Sequence, residues 1–265
     1  MRTPPILALV LLGALAVPAQ TATSTSNLER EKNWADQIVD ALIAGEPVTL
    51  EARGVKFLGL HTEPANSEKS PKAVILLHGR GVHPAWGFID TLRVDLADAG
   101  WHTLSLQMPI LDADVKLSEY GATLPEAFDR IDAGIRFLQA RGIRTIVLAG
   151  HSSGAMTALA YAAERPTASI AAVGAISPPT EPAGGRLMKP VELLPHINKP
   201  VLDIYGSDDF PEIRSTAKAR RAAAGKAGNR DYAQQLVKGA NHFYTDRYDA
   251  LKQNLLAWLA RFGGK

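Results

Sequence analysis

Short apolar runs rich in Val, Ile and Leu alternate along this chain with stretches of helical periodicity. The runs at residues 73–77, 145–149, 170–176 and 201–205 are nearly continuous in apolar character. Such a run suits a strand buried on both faces, and strands of that kind belong to parallel sheets covered by helices on either side. The intervening segments at residues 87–99, 125–140, 153–163, 212–224 and 244–262 read as those helices, and residues 101–106 and 232–237 as further strands. Ahead of them, residues 48–52 and 56–61 read as two short strands joined through Arg53-Gly54, which puts an antiparallel hairpin at one edge. The expectation is an α/β fold with a mostly parallel central sheet, helices on both faces and an antiparallel N-terminal edge. The longest irregular stretches, residues 107–124 and 177–199, are too short for a large lid but suited to lining a pocket.

Domain organisation follows from the first 50 residues. Arg2 is followed by an apolar stretch over residues 6–17, and Val17-Pro18-Ala19 offers the small-x-small pattern of a signal-peptidase site. Residues 1–19 are therefore expected to be a signal peptide, sending the chain to the periplasm or outside the cell. With twelve apolar residues, the stretch is too short to remain as a spanning helix, so no integral membrane span is expected after processing. Residues 20–47 form a polar, mobile mature N-terminus and a docking helix over residues 28–44, where Trp34, Ile38 and Leu42 recur at spacing four. Residues 48–265 make the main domain.

Charge and cysteine content exclude several functions. The 29 basic and 27 acidic residues leave a net charge of +2, too balanced for a nucleic-acid partner. There is no cysteine, so disulfides, thiolate nucleophiles and cysteine metal sites are all impossible. No H-E-x-x-H or paired-histidine spacing announces a metal, and no cofactor motif is present. The partner expected is a small-molecule substrate; oligomeric state has no sequence signal.

The residues that carry chemistry begin with Gly150-His151-Ser152-Ser153-Gly154, a G-x-S-x-G pattern set between a buried strand and a helix. A serine hydroxyl is a weak nucleophile unless a base reaches it and substrate meets it. A sharp strand-to-helix turn exposes it, and glycines two before and two after relieve the crowding that the turn creates. The second element is His78-Gly79-Arg80-Gly81, directly after the strand at 73–77. There the N–H of Arg80, with that of Ser153, is suited to meet a developing oxyanion, while His78 braces the loop. Asp209 stands beyond the strand at 201–205 and is the expected acid, with the adjacent Asp208 still open and Glu181 as the outside choice. His242 closes the set: of the seven histidines it alone lies downstream of Asp209. Arg80, His83, Trp86, Met108 and Tyr120 are expected near the mouth of the site.

With nucleophile, acid and histidine in that order, the chain from about residue 48 onward resembles the α/β-hydrolase superfamily. The Leu-Leu-His-Gly-Arg-Gly-Val-His-Pro run further resembles an exported bacterial family of α/β hydrolases of unknown function. The resemblance implies acyl transfer to water by a Ser152–His242–Asp209 triad, most simply on an ester. It leaves open a thioesterase, a serine peptidase or a non-catalytic binding protein on the same fold.

Overall fold

The computed structural model describes residues 24–65 and 70–262. The expected signal peptide lies outside the described residues. Helix α1 (Leu28–Ala41) leads into β1 (Glu46–Ala52) and β2 (Val55–Thr62), which pair antiparallel across the turn at Arg53 and Gly54. Then β3 (Lys72–Leu77), α2 (Phe88–Asp98), β4 (His102–Leu106), α3 (Leu124–Gln139), β5 (Thr145–His151) and α4 (Ser153–Glu164) follow in alternation. The chain continues through β6 (Ala172–Ile176), the short α5 (Pro190–Leu193), β7 (Val201–Gly206), α6 (Pro211–Lys226), β8 (Tyr232–Val237) and α7 (Tyr248–Leu259).

The eight strands form one sheet in the order β1-β2-β4-β3-β5-β6-β7-β8. β2 pairs antiparallel with both β1 and β4; every other pairing is parallel. The apolar runs have their cause in this arrangement. In β3, Ala73, Ile75 and Leu77 pack into one core with α3 and α4, while Val74 and Leu76 pack into a second core with α2 and α7. Side chains alternate faces along a strand, so a strand with two buried faces has no polar position left. Helix α4 is almost entirely buried, and Ala155, Ala158, Ala160 and Ala162 let it lie close against β5 and β6.

Three local readings change. The last helix, expected from residue 244, begins at Tyr248, because residues 241–247 form a turn with Tyr244 and Asp246 at positive φ. That turn buries the Tyr244 ring beneath the site, where its hydroxyl reaches the carbonyl of Ile204 at 3.3 Å. The stretch 177–199 is not bare loop; it is folded into 3-10 turns around α5.

Residues 24–27, expected to be mobile, are pinned: Ser24 and Thr25 donate to the Glu126 carboxylate, and the Asn27 side chain caps α1 through the N–H of Arg30.

Candidate active site

Ser152 occupies the turn between β5 and α4 with φ +56° and ψ −124°, a conformation costly for a residue with a Cβ. The strain is held from both sides. Its N–H donates to the carbonyl of Ile176 at 2.9 Å, and its own carbonyl accepts from Ala155 and Met156 in the first turn of α4. A Cβ on Gly150 would run into the carbonyl of Gly154, and one on Gly154 into the carbonyl of Leu77. Both glycines are therefore demanded by close backbone approach. The result is a serine hydroxyl held outward at the carboxyl end of the sheet, above the N-terminus of a helix.

His242 reaches it from the loop after β8. Its Nε2 lies 3.0 Å from Ser152 Oγ, and its Nδ1 lies 2.7 Å from Asp209 Oδ1. Asp209 is 2% exposed and accepts also from the Phe210 N–H at 2.7 Å and from the hydroxyl of Ser177. Burial by itself pushes this carboxyl upward. The hydrogen bonds from His242 and Ser177, with the neighbouring imidazole, outweigh it and hold the group below the usual carboxylate range. Asp209 is thus ionised at neutral pH, keeping the Nδ1 proton on His242 and leaving Nε2 to face the serine.

Asp208, one residue away, is exposed and takes its hydrogen bond from Ser207; Glu181 caps a 3-10 turn through the Ala183 N–H. Neither reaches His242.

The loop after β3 stands across from Ser152. His78 is buried, with Nδ1 donating to the Gly79 carbonyl at 2.8 Å and Nε2 accepting the Met108 N–H at 2.9 Å. Burial pushes this imidazole down to about 3, so it braces the loop as a neutral ring. Gly79 passes so close that a Cβ there would lie 3.4 Å from Cβ of Ser152. Arg80 follows, its guanidinium turned outward to donate to the Val115 carbonyl at 2.9 Å.

Behind the loop, Met108, Tyr120, Leu124 and Met156 enclose a cavity of about 20 Å³ that also touches Gly79 and Ser153. That volume holds roughly one water molecule. On the outer side Phe210 is stacked on the His242 ring at 4.2 Å. Phe243 stands edge-on to His242, with Trp86 against it at 5.7 Å. Phe210 and Phe243 are 44% and 47% exposed, an apolar rim around a polar centre. His83 packs edge-on against Trp34 of α1. A larger cavity, of about 720 Å³ between α1 and the β1–β2 edge, includes none of these residues; Gln107, next to Met108, lines it.

Four residues escaped the sequence reading. His151 donates through Nε2 to the His242 carbonyl at 2.9 Å and packs under Phe88, fixing the backbone of the loop that carries His242. Burial, then the nearby His242, pushes His151 to about 3, so this ring too is neutral. Its place next to Ser152 was the available signal. Phe210 carried the same kind of signal beside Asp209, whereas Ser177 and Tyr244 had none: Ser177 meets Asp209 across 32 residues of sequence.

The comparisons with known proteins agree with this architecture. Est1E from Butyrivibrio proteoclasticus, also solved with ferulic acid bound, superposes with a TM-score of 0.65 at 17% identity, over 81% of this chain and 98% of that one. An esterase from Pyrococcus furiosus gives 0.65 at 19% identity over 86% and 96%. Dienelactone hydrolase from Anabaena variabilis gives 0.60 at 20% identity over 81% and 96%. At such identities the likeness establishes the α/β-hydrolase fold. No curated protein matches in sequence. The model of one family matches over residues 5–127 and 116–261, and the chain belongs to it: the family described as a protein of unknown function, DUF3530.

Proposed function

We propose that this protein is a serine hydrolase that cleaves an ester-type acyl bond through an acyl-enzyme. The observation that carries the reading is the continuous line from Asp209 Oδ1 through His242 to Ser152 Oγ, at 2.7 and 3.0 Å, ending on a hydroxyl held at a strained turn. His242 takes the Ser152 proton as Oγ adds to the substrate carbonyl, and Asp209 stabilises the imidazolium that results. The N–H groups of Arg80 and Ser153 receive the negative charge on the carbonyl oxygen, each worth about 3 kcal/mol of barrier by comparison with known oxyanion donors. The imidazolium gives its proton to the leaving alcohol, which departs. A water molecule, deprotonated by His242, then attacks the acyl-enzyme, and the proton returns to Ser152.

The same geometry supports a preference among substrates. The narrow cavity behind Gly79 and Ser153 suits a short acyl group, and the rim of Trp86, Phe210 and Phe243 suits an apolar or aromatic alcohol. The apolar segment at residues 6–17 supports action in the periplasm or outside the cell.

The test is fluorophosphonate labelling of the purified protein with peptide mapping, beside turnover of p-nitrophenyl esters of increasing acyl length. An adduct on Ser152 and turnover that falls with acyl length are expected. A folded protein that takes no label would overturn the assignment and favour a binding role for the fold.

A further inference from the structure

The antiparallel edge brings together a second group of chemistry-bearing side chains. In the pairing of β2 with β4, Thr62 lies opposite Thr103 and His61 opposite Leu104. Residues two apart share a face, so His61, Glu63 and His102 project from the same side of the sheet. His61 is wholly buried and His102 7% exposed, while Glu63 reaches solvent. One ligating atom from each lies within 4.8 Å of the others.

We propose that His61, His102 and Glu63 form a binding site for a divalent cation of the zinc class, with water completing the coordination. The separation of the imidazoles is the first argument. His61 Nε2 and His102 Nδ1 are 3.3 Å apart. Two nitrogens bound to zinc at about 2.0–2.1 Å and a tetrahedral angle stand roughly 3.3 Å apart, so the ion needs small ring rotations and no movement of the strands.

The second argument is orientation. His61 Nδ1 faces Glu46 Oε1 at 3.3 Å, the carboxylate–histidine arrangement that keeps the proton on Nδ1 and the Nε2 lone pair towards the metal. Without metal, His102 donates its Nδ1 proton to His61 Nε2; binding moves that proton to Nε2 of His102. Arg141, a cation on this side of the sheet, holds its guanidinium 3.6 Å above the Phe137 ring and bonded to the Phe137 carbonyl. Phe137 in turn walls the site, edge-on to His61.

The site is remote from Ser152. His102 is level with Ala73 and Gly150 with Leu77, which places Ser152 at the opposite end of the sheet, roughly 13 Å or more along the strands. A bound cation therefore clamps β2 to β4 and takes no part in acyl transfer.

The experiment uses tag-free protein dialysed against a chelator and titrated with Co²⁺, whose visible bands report coordination, followed by displacement with Zn²⁺. Saturable uptake of one Co²⁺ per chain, displaced by Zn²⁺ and accompanied by a rise in Tm, is expected. Glu46→Gln should weaken binding by roughly 10- to 100-fold. Glu63→Gln, exposed and so harmless to folding, should weaken it at least about tenfold, whereas Ser152→Ala should leave it unchanged. Absence of saturable uptake, or uptake undiminished in Glu63→Gln, would overturn the proposal.

Discussion

Two of the buried polar clusters among the described residues are built on opposite plans. Beneath α1, Arg130 donates to Glu126 at 2.6 Å, to Glu31 at 3.0 Å and to the Gln107 carbonyl at 3.0 Å. Glu126 is further covered by Ser24 and Thr25, and Glu31 by Ser26. Burial raises the Glu31 carboxyl despite Arg130. For Glu126 the burial cost is exceeded by Arg130 and the Thr25 bonds, which bring it down. Every strong donor and acceptor there has a partner. At the carboxyl end of the sheet, Asp209 and His242 are equally well bonded on their inner side, but the line ends on a Ser152 hydroxyl that faces outward. A closed network spends its polarity on holding an element in place; an open-ended one keeps a reactive atom for something that arrives from solvent.

Breaking each cluster should therefore give different phenotypes. The largest effect is expected in the open one. Asp209→Asn keeps the shape but allows the wrong His242 tautomer, and should lower kcat by about 10⁴-fold with little change in Tm. Asp208→Asn, exposed and away from His242, should change kcat less than about twofold. If the two variants proved alike in ester turnover, the acid would be misassigned.

The closed cluster should fail through stability instead. Arg130→Met leaves Glu31 and Glu126 buried without their cation, a loss of about 3–5 kcal/mol. Denaturant melts should show it, while activity per folded molecule stays near the parent value. A variant that kept its stability and lost turnover would erase the distinction drawn between the clusters.

A graded effect, smaller over any one pH unit than the Arg130→Met loss, is expected from pH. His78 and His151 are held near 3 in the folded state and titrate near 6.5 when unfolded. Between those values the unfolded chain binds protons that the folded chain refuses, so stability falls as pH drops below about 6.5. Each histidine contributes about 1.4 kcal/mol per pH unit in that window. Lowered Asp209 acts at more acid pH, with the same sign. Thermal melts from pH 7 to 4.5 should fall steadily, and a flat profile would mean that these rings are not buried as neutral groups.

Much of the candidate site was legible before any tertiary information, for reasons local to the chain. The elbow at Ser152 needs glycines at fixed offsets, because backbone carbonyls of Gly154 and Leu77 crowd the positions where a Cβ would be. The double burial of β3 and of the middle of β5 erases polar positions and leaves runs that betray a parallel sheet. The order of serine, acid and histidine follows from where the fold places its loops. The first two features are written in spacing and composition within short windows of the chain, and the third in an order that spans 90 residues.

What the sequence could not decide was everything set by contacts across the chain. Asp208 and Asp209 are equivalent in sequence; burial and the reach of His242 separate them. Ser177 and Tyr244 come beneath the acid only because β6 and the turn after β8 converge there. His61 and His102 are 41 residues apart and share a face only through the register of β2 with β4. Residues 24–27 look like a polar tail until α3 supplies Glu126. Local sterics and periodicity act between near neighbours and can be read in order along the chain. Partners for buried polar groups are chosen by proximity in space, which only the folded structure determines.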